Sequence, residues 1–67
     1  MNFDGEELML MMLYNSGSRL GLMQELRLMQ CYLMPDEAAL RELSEGVIEK
    51  LKLMTDAEFS ELESPIN

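Results

Sequence analysis

The chain has 67 residues and a formal charge of −8 at pH 7, from 13 acidic and five basic side chains with no histidine. That length allows one domain at most, and a chain so short buries only about 60% of the surface its unfolded form exposes, so each apolar residue counts. The acidic field repels phosphates and anionic lipid, which speaks against direct binding to nucleic acid or a membrane surface and leaves basic proteins as partners.

Hydrophobic residues make up 48% of the chain and charged ones 27%, proportions of a folded domain rather than a disordered segment. Leu, Met, Glu and Ala dominate, Pro35 and Pro65 are the only prolines, and β-branched residues are confined to Val47, Ile48, Thr55 and Ile66. The expected fold is therefore all-α. Cys31, the single cysteine, closes no internal disulfide, and without histidine a zinc site has no ligand set. Asp4, Glu6 and Glu7 stand where a signal peptide would carry Lys or Arg, and the apolar run after them is far short of the ~20 residues that span a bilayer. A cytoplasmic protein is expected.

In chain order, Asp4 is placed to cap a first helix, with Glu7 reaching back to the Asp4 amide and Phe3 and Leu8 as the hydrophobic staple. This helix runs to about Tyr14, where Asn15, Ser16, Gly17 and Ser18 tolerate turn geometry. Its stretch ELMLMMLY, Glu7 to Tyr14, is apolar on all sides, so it is expected to be core, sandwiched between the other helices, with a partner surface as the alternative because one helix of so few rarely hides its whole circumference. Ser16 or Ser18 caps a second helix reaching about Leu33, with Leu22, Leu26, Met29 and Leu33 on one stripe. Pro35 fits the first position of a third helix, where its missing N–H is no loss, although Met34 makes a poor cap. That helix extends to about Leu53, burying Leu40, Leu43, Val47, Leu51 and Met54, with Glu37 and Arg41 as a surface pair. Gly46 in its middle costs up to about 1 kcal/mol relative to alanine, so either a neighbouring helix approaches closely there or the cost is simply tolerated. Thr55 and Glu58 form a second capping box, flanked by Met54 and Phe59 as its staple, and open a short fourth helix that needs Phe59 and Leu62 docked on the core. The expected architecture is a compact bundle of three helices plus a short fourth C-terminal helix, one domain over residues 3–62 with a flexible tail at 63–67.

The chain offers little to an enzyme. Apart from Lys50 and Lys52 it holds no base suited to activating a nucleophile, so Cys31 is read as a half-buried thiol that packs like a small hydrophobe. Glu45 and Glu49 share a helix face without surroundings that would separate their roles as acid and base, and read as solvated. There is no calcium loop and no glycine-rich phosphate cradle, so no metal, cofactor or catalytic residue is expected. Leu20, Leu28 and Cys31 project off the core stripe of the second helix, with Met34 nearby and Arg19, Arg27 and Glu25 around them. This is the make-up of a protein interface, apolar centre and charged rim, unless the fourth helix or the N-terminus covers it. The candidate partner-binding residues are Arg19, Leu20, Arg27, Leu28 and Cys31. A helix-turn-helix reading with Arg19 and Arg27 on DNA fails on charge.

Three blocks carry a family resemblance: Leu13-Tyr14-Asn15-Ser16-Gly17-Ser18-Arg19; Met29 to Leu33 leading into Pro35-Asp36-Glu37; and Leu51-x-x-Met54-Thr55-Asp56-Ala57-Glu58-Phe59-x-x-Leu62. With this spacing, from about Phe3 to Leu62, the chain resembles the transposon-transfer assisting proteins, small bacterial proteins encoded in conjugative transposons. It departs from them at Glu63-Ser64-Pro65-Ile66-Asn67, where family members often continue with an acidic and aromatic tail. The resemblance implies an association with the transfer of mobile elements and supplies no catalytic residue or ligand. Tyr14, Gly17 and Arg19 match the family and have structural uses as helix end, turn glycine and helix start. The expected function is that of a non-catalytic adaptor binding a basic protein of the transfer machinery. A self-associating homodimer and an acidic decoy of a DNA-binding protein are the alternatives.

Overall fold

Three of the four helices begin where a side chain satisfies the free N–H groups of the first turn. A computed structural model describes residues 3–15 and 17–63, apart from the side chains of residues 62 and 63. Among these residues lie α1 (Gly5–Tyr14), α2 (Arg19–Cys31), α3 (Ala38–Leu53) and α4 (Asp56–Glu63), with a 3-10 turn, Pro35–Glu37, leading into α3. No strand occurs among the described residues, so the chain is an all-α bundle.

Asp4 caps α1 by accepting the Glu7 amide at 2.9 Å while Glu7 accepts the Asp4 amide at 3.0 Å. Ser18 caps α2 through the Gly21 amide at 3.0 Å. Thr55 and Glu58 close the reciprocal box that opens α4, at 3.1 and 2.8 Å. The start of α3 differs from the expectation. Lacking a capping side chain at Met34, the chain makes a tight 3-10 turn with Pro35 first, and the Glu37 carboxylate accepts the Met34 amide at 2.8 Å. Glu37 and Arg41 consequently do not pair. Arg41 donates instead to the Gln30 carbonyl at 3.3 Å, at the end of α2.

The central element is α3, which packs against α1, α2 and the 3-10 turn. Val47 and Leu51 are buried as expected, joined by Ser44 and Ile48, whereas Leu40, Leu43 and Met54 are only half-buried. Ser44 is accommodated because its hydroxyl donates to the Arg41 carbonyl and accepts from the Gln30 amide at 2.7 Å, so the buried polar group is satisfied. Leu22, Met23 and Leu26 meet it from α2, and Phe59 from α4. Met29 and Leu33 are half-buried, and α2 stops at Cys31, short of Leu33. Glu63, expected to open the tail, is the last residue of α4, and the expected contact of Leu62 and the tail from Ser64 lie outside the described residues.

Contacts at both ends set the helix directions. Gln30 meets Ser44 and Arg19 meets Leu51, so α2 runs counter to α3. Glu7 meets Lys50 while Tyr14 and Leu40 line the same depression, so α1 runs counter to α3 as well, and broadly parallel to α2. The linker therefore leads back along the molecule. Asn15 and Ser18 are extended, and Gly17, whose amide bonds to Asn15 Oδ1 at 2.8 Å, takes φ +96°, a region that other residues enter only under strain.

Candidate functional site

The stretch Glu7 to Tyr14, expected to be core, is buried on one side only. Glu7, Leu10 and Met11 are buried and Tyr14 half-buried, whereas Met9, Met12 and Leu13 are 65%, 79% and 75% exposed and Leu8 is 41% exposed. At about 100° per residue the two sets centre on opposite sides of the helix. The physical reason is that α1 has neighbours on one side only. It packs on α3 and α2, whereas α4 meets the core through Phe59 without covering α1.

A charged residue occupies the inner face. The Glu7 side chain is 8% exposed, and its Oε1 accepts from Lys50 Nζ at 2.6 Å as well as from the Asp4 amide. Such a pair is tolerated when its hydrogen bonds are made in full. Gly46 supplies the space, since a Cβ there would stand 3.3 Å from Glu7 Oε2. That is the close approach anticipated at Gly46, made by a carboxylate rather than by a helix backbone. Lys50 also sits 5.4 Å from the centre of the Phe3 ring, which draws the N-terminal segment onto α3.

The five candidate partner residues divide. Arg27, Leu28 and Cys31 line one depression with Gln24 on the outer face of α2. Leu20 lies at the opposite end, in a depression shared with Asp56, Phe59 and Ser60. Leu20 and Leu28 are exposed, at 57% and 55%. Cys31, expected to be half-buried, is exposed because it falls half a turn out of phase with the buried Leu22. Arg19 is only 17% exposed; its guanidinium bonds Asp56 Oδ1 at 2.9 Å and the Leu51 carbonyl at 2.8 Å, tying α2 to the junction of α3 and α4. Tyr14, packed on the core, and Gly17, in its turn, have structural work too.

A groove that sequence reasoning missed lies at the far end. It is an open depression of about 550 Å³ lined by the half-buried Tyr14, Met29, Leu33 and Leu40. Leu28 and the exposed Tyr32 form its wall, with Glu25 and Glu37 at the rim. Only the parallel course of α1 brings Tyr14 to the end of α2, and nothing in the sequence pattern indicates that pairing. No group of three or more metal-ligating side chains occurs among the described residues, and no helix among them is long and apolar enough to cross a membrane.

Residues 3–64 match the model of a family described as "Putative transposon-transfer assisting protein". No curated protein and no solved structure matches the chain.

Proposed function

The chain belongs to the transposon-transfer assisting family, and on that premise we propose that it assists transfer as a small acidic accessory without catalysis of its own, docking on a basic protein of the transfer machinery in the cytoplasm. One observation carries the reading: α1 presents Leu8, Met9, Met12 and Leu13 to solvent as an apolar patch, with the exposed Glu6 at its edge. Burying each such side chain against a partner is worth about 1.5–3 kcal/mol in transfer terms, and methionine adapts its shape to irregular surfaces. The net charge of −8 favours a basic partner and speeds its encounter.

The test is affinity capture by tagged chain from donor cells that carry the conjugative element, with captured proteins identified by mass spectrometry after low- and high-salt washes. Met9→Glu/Met12→Glu and Leu20→Glu/Leu28→Glu chains run alongside, their helicity checked by circular dichroism. A protein of the element's transfer region that survives high salt and is lost with Met9→Glu/Met12→Glu supports the accessory. A DNA-binding protein held only at low salt would mean the acidic decoy instead.

The same apolar patch favours a second reading, in which two copies pack α1 on α1 with Glu6 left at the solvated edge of the contact. Light scattering across a concentration series reads it directly: a mass that doubles on concentration and stays single in the Met9→Glu/Met12→Glu chain.

A further inference from the structure

We propose that the groove between Tyr14 and Tyr32 receives a basic amphipathic segment of the partner, with an apolar side chain on the groove floor and a lysine or arginine held between the rim carboxylates Glu25 and Glu37. The proposal deepens the accessory reading and rests on it.

The groove is open to solvent, which suits the side chain of a segment laid across it, and its half-buried lining is apolar. Charge decides the occupant. The only charged residues lining it are the two glutamates, and all five basic residues of the chain are placed elsewhere. Arg19 is bound to Asp56 and Leu51, Arg41 to the Gln30 carbonyl, Lys50 to Glu7 and Lys52 to Glu49, while Arg27 lines the depression on the outer face of α2. A cation entering the groove therefore displaces no internal partner.

Glu37 is held in place by accepting the Met34 amide, and a carboxylate has lone pairs left for a second donor. Tyr32, 82% exposed, offers a ring to which a cation is attracted. The walls are braced: Gln30 ties the end of α2 to Ser44, and Arg41 ties α3 back to Gln30. A braced groove loses little freedom on binding, which favours affinity. A helix with leucines on one face and lysines beside them meets the apolar floor and the acidic rim together.

The experiment is fluorescence anisotropy of the full chain with a fluorescein-labelled peptide of lysine and leucine at helical spacing, and with its counterpart in which glutamate replaces lysine. Glu25→Gln/Glu37→Gln is compared with Glu42→Gln/Glu61→Gln, which removes the same charge from residues outside the groove lining. The expected result is a Kd raised roughly five- to tenfold by the groove pair and unchanged by the distant pair. Tyr32→Ala should raise it about two- to fivefold, and the glutamate peptide should not bind. Equal weakening by both pairs, binding of the glutamate peptide, or no binding of the lysine peptide overturns the groove. None of those results touches capture through α1, and loss of that capture would leave peptide binding unaltered, so the two readings fail separately.

Discussion

Met11 and Met12 are neighbours in sequence and opposites in structure. One is 7% exposed against α3 and α2; the other is 79% exposed. Both faces of α1 carry Leu and Met, yet it is the inner face that buries a charge, Glu7, while the exposed Glu6 only borders the outer one. Side-chain chemistry thus does not separate core from surface here. What separates them is which side of α1 has a neighbour, and the buried carboxylate marks that side through Gly46 and Lys50.

The comparison breaks most readily in the core. A domain of this size has a total stability of roughly 3–10 kcal/mol, so the loss of one buried side chain is a large part of it. Leu22→Ala or Leu26→Ala should cost about 2–5 kcal/mol in urea denaturation, enough to leave much of the chain unfolded at room temperature. Met11→Ala should fall toward the lower end of that range, and Met12→Ala within about 0.5 kcal/mol of zero. Equal effects for the two methionines would show that α1 is covered on both sides.

Lys50→Ala leaves the Glu7 carboxylate on the inner face without its cation and should cost about 3 kcal/mol, whereas Lys52→Ala, which breaks only the exposed pair with Glu49, should cost less than about 0.5 kcal/mol. A smaller effect sharpens the role of Gly46. Gly46→Ala gains up to about 1 kcal/mol of helix propensity but crowds a carboxylate pinned by Asp4 and Lys50, so its net effect should be near zero. In a Glu7→Ala background the crowding is gone, and the same substitution should stabilise by about 1 kcal/mol. A double-mutant cycle measures that coupling, and additive effects would remove Gly46 as the space-giver. The last test separates stability from binding: Met9→Ser/Met12→Ser should leave stability within about 1 kcal/mol of the parent chain while partner capture is lost.

Much of the fold is legible in local chemistry. The reciprocal hydrogen bonds at Asp4 and Glu7, and at Thr55 and Glu58, appear where the capping pattern places them, because a cap involves residues three apart and needs no tertiary partner. The stripe through Leu22 and Leu26 and that through Val47 and Leu51 follow from periodicity. The candidate site is legible only in fragments. Leu20, Leu28 and Arg27 are exposed as an interface requires, but α2 holds Leu20 and Leu28 at opposite ends, and Arg19 is drawn into a clamp on Leu51 and Asp56. The outer face of α1 was hidden by its composition, since a helix apolar all round has no pattern from which to read a direction.

The sequence by itself determined that this chain is helical, where α1 and α4 start, and that Leu22, Leu26, Val47 and Leu51 turn inward, because caps and periodicity act over one or two turns. Only the tertiary structure decided that α1 lies parallel to α2, that Glu7 is inside while Met9 and Met12 are outside, and that Tyr14 and Tyr32 share a groove. Those outcomes depend on contacts between residues far apart in the chain, such as Lys50 with Glu7 and Arg19 with Leu51. In a helix with apolar residues on every side, such contacts alone choose the face that is buried.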